Sequence, residues 1–164
     1  KNMKALIIYF TMTGRTKKMG EAIASSLTNY EVEFISFELG GSLSERLKII
    51  ERFNKGNFLA IEEQLSALDN VKYDLLFIGM PTHGNFPPKA FEEILVRLGD
   101  LSGKNAVAFN TARLTGSKSL DYMETKMKDK GADVIDKKRF KSLFRLGVKK
   151  AIKFGEQVNE NSLN

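Results

Sequence analysis

The residues best suited to chemistry are Thr11, Thr13, Gly14 and Thr16, which close a short apolar run and open a helical pattern. Residues 5–10 are apolar or aromatic throughout, as suits a strand covered on both faces, and Met19, Ile23 and Leu27 then recur at helical spacing. A turn between a strand's C-terminal end and a helix N-terminus presents unpaired main-chain N–H groups at the positive end of the helix dipole. The N–H groups of residues 13–16 and the hydroxyls of Thr11, Thr13 and Thr16 are therefore expected to face an anion, with phosphate the natural guest. An ordinary capped helix also favours threonine and glycine at such positions, so the rest of the chain must discriminate. Two better-known phosphate loops are excluded by spacing. Gly14 is followed by Arg15-Thr16-Lys17-Lys18-Met19-Gly20-Glu21, which satisfies neither the G-x-x-x-x-G-K-(S/T) nucleotide-triphosphate loop nor the G-x-G-x-x-G dinucleotide fingerprint.

The elements that must hold this turn alternate between strand and helix along the chain. Val32, Phe34, Ile35 and Phe37 form a second strand ending at Gly40-Gly41. Two helical patterns follow, one on Leu43, Leu47, Ile50 and Phe53 and one on Ile61, Leu65 and Leu68, separated by Gly56. Residues 40–70 exceed what one helical crossover needs, which predicts an additional helix near the sheet edge. Residues 73–79 read as the third strand, and a helix beginning at Pro88 carries Phe91, Ile94, Leu95 and Leu98 on one face. Residues 106–110 are the fourth strand, Leu120, Met123 and Met127 mark a helix, residues 132–135 start a fifth strand, and Val148, Ala151, Ile152, Gly155 and Val158 mark the last helix. This alternation predicts a doubly wound, five-stranded parallel sheet with helices on both faces. Ligands of such sheets bind beyond the strand carboxyl ends, where the strand order reverses. The loops after the first, third and fourth strands, residues 11–16, 80–88 and 111–117, are thus expected to converge.

A chain of 164 residues suits one domain, expected to span 1–164 with its core at about 4–158. Met3 reads as the natural start, with Lys1-Asn2 an added lead. No apolar run approaches the roughly twenty residues of a membrane span, and a cytoplasmic location is expected. The absence of cysteine excludes disulfides, thiolate nucleophiles, iron–sulfur clusters and cysteine–zinc sites, and one histidine argues against a transition-metal site. Any redox chemistry must then come from an organic cofactor. The net charge is +6 and the pI about 9.4, with the excess gathered between Lys126 and Lys153. Such a run forms either a docking face for an acidic partner or a solvated helix surface. No aromatic residues alternate with the lysines and no recognition-helix or zinc-finger pattern occurs, so nucleic-acid binding is not supported.

Thr11-x-Thr13-Gly14-x-Thr16 resembles the (S/T)-x-(S/T)-G-x-(S/T) phosphate loop of the flavodoxin family. Met80-Pro81-Thr82-His83-Gly84-Asn85-Phe86-Pro87-Pro88 resembles that family's loop against one side of the flavin ring, written G-(S/T)-P-(T/V)-x-x-G-x-x-P-P. Residues 111–117 occupy the place of its second ring loop. The resemblance covers nearly the whole chain and implies a short-chain flavodoxin-like fold binding flavin mononucleotide (FMN). It assigns the phosphate cradle to Thr11, Met12, Thr13, Gly14, Arg15 and Thr16, with Met12 and Arg15 acting through main-chain N–H groups or, for Arg15, through the guanidinium. Pro81, Thr82, His83, Gly84, Asn85 and Phe86 would form the first ring loop, with Gly84 and Asn85 presenting a backbone group beside flavin N5. Asn110 and Thr111, directly after the fourth strand, would meet the pyrimidine edge, and Arg113 and Gly116 belong to the second ring loop.

Two departures from the family's pattern matter. The chain has no tryptophan, and neither ring loop carries tyrosine, so stacking would fall to His83, Phe86, Leu114 or Arg113. Typical flavodoxins are also acidic, whereas this chain is basic, and a cation near flavin N1, with Arg113 best placed, would favour the anionic reduced ring. The resemblance implies an electron carrier between redox partner proteins, here acidic ones. An FMN-dependent NAD(P)H:quinone-type reductase and a flavin-free protein-binding module remain as alternatives.

Overall fold

The computed structural model describes residues 3–164; Lys1 and Asn2, the expected added lead, lie outside the described residues. Strand β1 (Met3–Thr11) is buried from Ala5 onward, because it pairs on both sides and is covered on both faces. It leads into α1 (Arg15–Ala24), β2 (Tyr30–Glu38) and α2 (Leu43–Asn54). A 3-10 turn (Leu59–Ile61) and a short α3 (Glu62–Ser66) supply the extra helical segment expected between the second and third strands. The chain continues through β3 (Leu75–Pro81), α4 (Ala90–Leu98), β4 (Asn105–Ala112), α5 (Ser117–Asp129), β5 (Asp133–Lys141) and α6 (Lys149–Asn161). All strands are parallel in the order β2-β1-β3-β4-β5, so the order reverses at β1 and β3.

One apolar cluster lies under α3, α4 and α5, around Phe10, Phe53, Leu65, Phe91, Ile94 and Met123. The other joins β1, β3 and β4 to α1 and α6 through Ile7, Met19, Ile23, Phe77, Phe109 and Phe154. Capping is explicit at α2, where Ser42 accepts from the Glu45 N–H at 3.2 Å and the Glu45 carboxylate reaches back to Ser42.

Several boundaries differ from the sequence expectation for physical reasons. Helix α4 starts at Ala90, after a turn in which the Pro88 carbonyl accepts from Phe91 N–H at 3.0 Å. Asn110 and Thr111 lie inside β4, because pairing with β3 continues to Pro81. The basic run is only partly a helix surface: Lys137, Lys138, Arg139 and Lys141 lie on β5, an edge strand with water on one side. Leu43 and Leu47, expected on a buried face of α2, are 60% and 51% exposed, and α2 is anchored mainly through Phe53.

Helices α1 and α6 approach so closely that Gly155 leaves no room for a side chain. A Cβ there would meet the Ile23 carbonyl oxygen at 2.6 Å and the Ser26 hydroxyl as well. Gly155→Ala should therefore destabilise the fold by about 1–3 kcal/mol through overpacking against backbone. Gly147→Ala, where nothing lies within 4 Å, is the matched control in urea denaturation, and equal midpoints for the two variants would refute this packing account.

Candidate functional site

Gly14 forms the N-cap of α1 with φ 87°, a left-handed conformation that glycine adopts without strain, and it offers no side chain to cap the helix. No acidic residue occupies the first turn. The N–H groups of Thr13, Arg15 and Thr16 find no acceptor among the described residues, which leaves donors at the positive end of the helix. The Gly14 N–H is used differently from expectation, since the Thr11 hydroxyl accepts it at 3.0 Å and folds the loop onto itself. Thr16 is buried and its hydroxyl shares a 2.8 Å hydrogen bond with that of Thr111, tying the loop to β4. Thr13 alone of the three loop threonines is exposed.

A cleft of about 390 Å³ opens beyond the carboxyl ends of β1, β3 and β4. Thr11, Met12, Thr13, Arg15 and Thr16 form one wall, Pro81, Thr82, His83 and Gly84 a second, and Thr111, Arg113 and Leu114 a third. Ala112 and Thr115 also line it, although nothing in their residue types marks them in the sequence. Gly14, Asn85, Phe86, Asn110 and Gly116 do not line this cleft. Phe86 stands edge-on to Tyr122 with ring centroids 5.3 Å apart, on a neighbouring depression that also holds Asn85. His83 and Phe86 exchange backbone hydrogen bonds of 2.8 and 3.3 Å, with Gly84 at φ 68° turning the chain between them. Asn110 acts from behind the wall: fully buried, its amide donates to the Gly116 carbonyl at 2.9 Å and to the Thr82 hydroxyl at 3.3 Å. The Asn110 Oδ1 has no partner among the described residues.

Cations surround this cleft, and among the described residues no carboxylate lines it. The Arg15 guanidinium donates to the carbonyls of Phe144, Ser142 and Ala112 at 2.6, 2.9 and 3.0 Å. Arg113 donates to the Leu143 carbonyl at 3.0 Å and Lys18 to that of Leu146 at 2.6 Å. Three cations thus fasten the β5–α6 connection to the start of α1 and to the β4–α5 loop. Burial, and then the neighbouring Arg113 charge, lower the Arg15 pKa. With its guanidinium committed to three carbonyls, Arg15 offers the cleft its main-chain N–H. Arg46 of α2 donates to the Met12 carbonyl, a support that sequence reading missed because it comes from a helix surface far along the chain. His83 keeps an exposed edge, yet desolvation of its ring holds the imidazole below its ordinary value of 6.5.

Two outcomes follow from this geometry. Arg15→Ala should cost about 1–2 kcal/mol, a charge-assisted hydrogen-bond contribution reduced by partial exposure, and should speed amide exchange in residues 142–146. Unchanged exchange there would mean that the loop is held without Arg15. His83 should titrate below 6.5 by NMR. Because the unfolded chain takes up that proton first, stability from this group is present above 6.5 and lost as pH falls toward the lower folded value. The acid-side loss should be smaller in His83→Gln, and identical stability–pH curves would refute the desolvation of His83.

No family model matches this chain, and no curated protein does. Solved structures do resemble it. A flavodoxin from the domain Archaea superposes with a TM-score of 0.62 at 19% identity, covering 99% of this chain and 100% of that one. Oxidised flavodoxin 1 of Bacillus cereus gives 0.61 at 19% identity, covering 98% and 97%. A flavoprotein from Lactobacillus acidophilus NCFM, solved in complex with FMN, gives 0.58 at 23% identity, covering 84% and 93%. Together with the β2-β1-β3-β4-β5 order, these likenesses establish that the chain has the flavodoxin-like fold.

Proposed function

We propose that this chain binds FMN in the cleft between its β1, β3 and β4 loops and carries electrons between redox partner proteins. The observation that carries the reading is the uncapped N-terminus of α1, whose free N–H groups open into a three-walled cleft without a carboxylate. The residues present fit the cofactor. Thr13, Arg15 and Thr16 would hold the phosphate through main-chain N–H groups, with the exposed Thr13 hydroxyl as a further donor. Met12, Pro81 and Leu114 offer apolar contacts for a ring, and about 390 Å³ falls within the range of small-molecule sites. The likeness to a flavoprotein solved with FMN supports the same assignment.

Bound flavin would supply the electron chemistry, so no protein nucleophile is required. The chain's own residues bind, orient and tune. Thr82 helps hold the first ring loop in place, its hydroxyl donating to the Thr111 carbonyl at 2.9 Å. Arg113 brings positive charge to the ring side, which favours an anionic guest. A second reading, a flavin-free binding module, draws on one observation: the cleft walls contain no tryptophan, tyrosine or phenylalanine.

Purified protein loaded with FMN decides between them through its visible absorbance. FMN should bind and riboflavin should bind far more weakly, since the loop recognises phosphate. Thr13→Ala should cost about 1.5–3 kcal/mol of FMN binding, roughly 10- to 150-fold, while leaving stability unchanged because Thr13 is exposed. Equal affinities for FMN and riboflavin would overturn the phosphate-loop assignment, and no flavin binding at all would favour the module.

A further inference from the structure

The cations on β5 continue beyond the strand. Lys138, Arg139 and Lys141, Arg145 of the following loop, and Lys149 and Lys150 of α6 line one groove of about 750 Å³. No carboxylate lines it, and none of these six side chains makes an ion pair among the described residues. We propose that this groove docks a carboxylate-rich surface of a partner protein; its redox purpose rests on the electron-carrier reading above.

Protection of an edge strand does not account for the arrangement. Lysines on the strand itself suffice to discourage strand-to-strand aggregation, whereas here they converge with cations from two other segments. Lys149 and Lys150 also stand in the first turn of α6, where the helix dipole is positive and acidic residues are favoured. That turn has no acidic residue, and Val148 supplies no side-chain cap. The cluster therefore repels itself and the helix end, a cost that an anionic surface would relieve.

Position supplies the second argument. Arg145 and Leu146 border both this groove and a smaller depression that reaches Arg15 and Arg113, two residues of the cleft wall. Arg139 donates to the Thr115 carbonyl at 3.3 Å, joining the groove to the cleft's third wall from the other side. A partner seated in the groove would lie beside the cleft opening. The exposed Phe144, 79% accessible, stands at the junction and offers an apolar contact within the charged surface. A protein surface is favoured over single-stranded nucleic acid because Phe140, the groove's own aromatic residue, is buried against Phe109 and Phe154, and the single exposed Phe144 at its edge does not make a run of stacking platforms.

The test is fluorescence-anisotropy titration of the full chain with labelled poly-L-glutamate, in low salt and again at raised salt. Lys149→Glu with Lys150→Glu should weaken binding by about tenfold or more. Lys48→Glu with Lys55→Glu, an equal charge change at exposed positions of α2 and its C-cap, should change it by less than about twofold. Equal losses in the two double variants would reduce the effect to net charge and overturn the proposal. It would also be overturned if duplex DNA bound more tightly than poly-L-glutamate with the same dependence on Lys149 and Lys150. Flavin absorbance recorded on the same samples separates the two readings. Groove-dependent binding by a protein that holds no flavin supports the groove and removes only the carrier function. Flavin held by a protein whose glutamate binding ignores Lys149 and Lys150 overturns the groove alone.

Discussion

Strand β1 has no edge and no wet face, and most of the molecule follows from that constraint. Its N–H and C=O groups are shared between β2 on one side and β3 on the other, and residues 5–11 are buried throughout. Side chains on both faces must then be apolar, and helices must cover both. Since β2 and β3 leave β1 in opposite directions along the sheet, their crossovers part, and a crevice opens above the carboxyl end of β1. Backbone emerging there has no strand neighbour ahead of it. Gly14 turns it directly into α1, so the helix meets the crevice with its first N–H groups unpaired.

Anchoring of the crevice walls relies on positive groups placed against carbonyls. Arg15, Arg113 and Lys18 gather like charge on one side of the crevice, yet each is held by carbonyl oxygens of the β5–α6 connection or of β4. These oxygens accept hydrogen bonds from the cations and offset part of the repulsion. The same bonds hold Leu143 and Phe144 on the outer rim with their side chains exposed. Charge that would be costly in isolation thus connects the third wall of the cleft to the basic groove beside it.

Polar support from behind the walls is as important as the walls. Asn110, buried inside β4, holds the Thr82 and Gly116 loops in register, and the Thr16–Thr111 hydroxyl pair does the same between α1 and β4. Buried polar groups of this kind are expensive unless paired, so each satisfied bond restricts the loops to one arrangement. The exception is the buried Asn110 Oδ1, which has no partner among the described residues.

Local pattern determined the strand and helix order, the extra helical segment after β2 and the three loops that meet, because each depends on the spacing of neighbouring residues. Burial on two faces makes β1 read as an unbroken apolar run, and amphipathic spacing marks α4 and α5. Where one side faces water, the pattern loses force: β5 carries four cations and could be read from the sequence only at its start. Direction of side chains was decided by tertiary packing alone. Phe86 lies within the loop that resembles a ring-binding one, but contact with Tyr122 turns it away from the cleft. The Arg15 guanidinium could be read as facing its own loop and is drawn to carbonyls more than ninety positions away, as Arg46 is drawn to Met12 from a helix whose surface gives no hint of it. Such contacts join segments distant in the chain, and their energy comes from solvation and geometry that exist only once the sheet has brought the loops together.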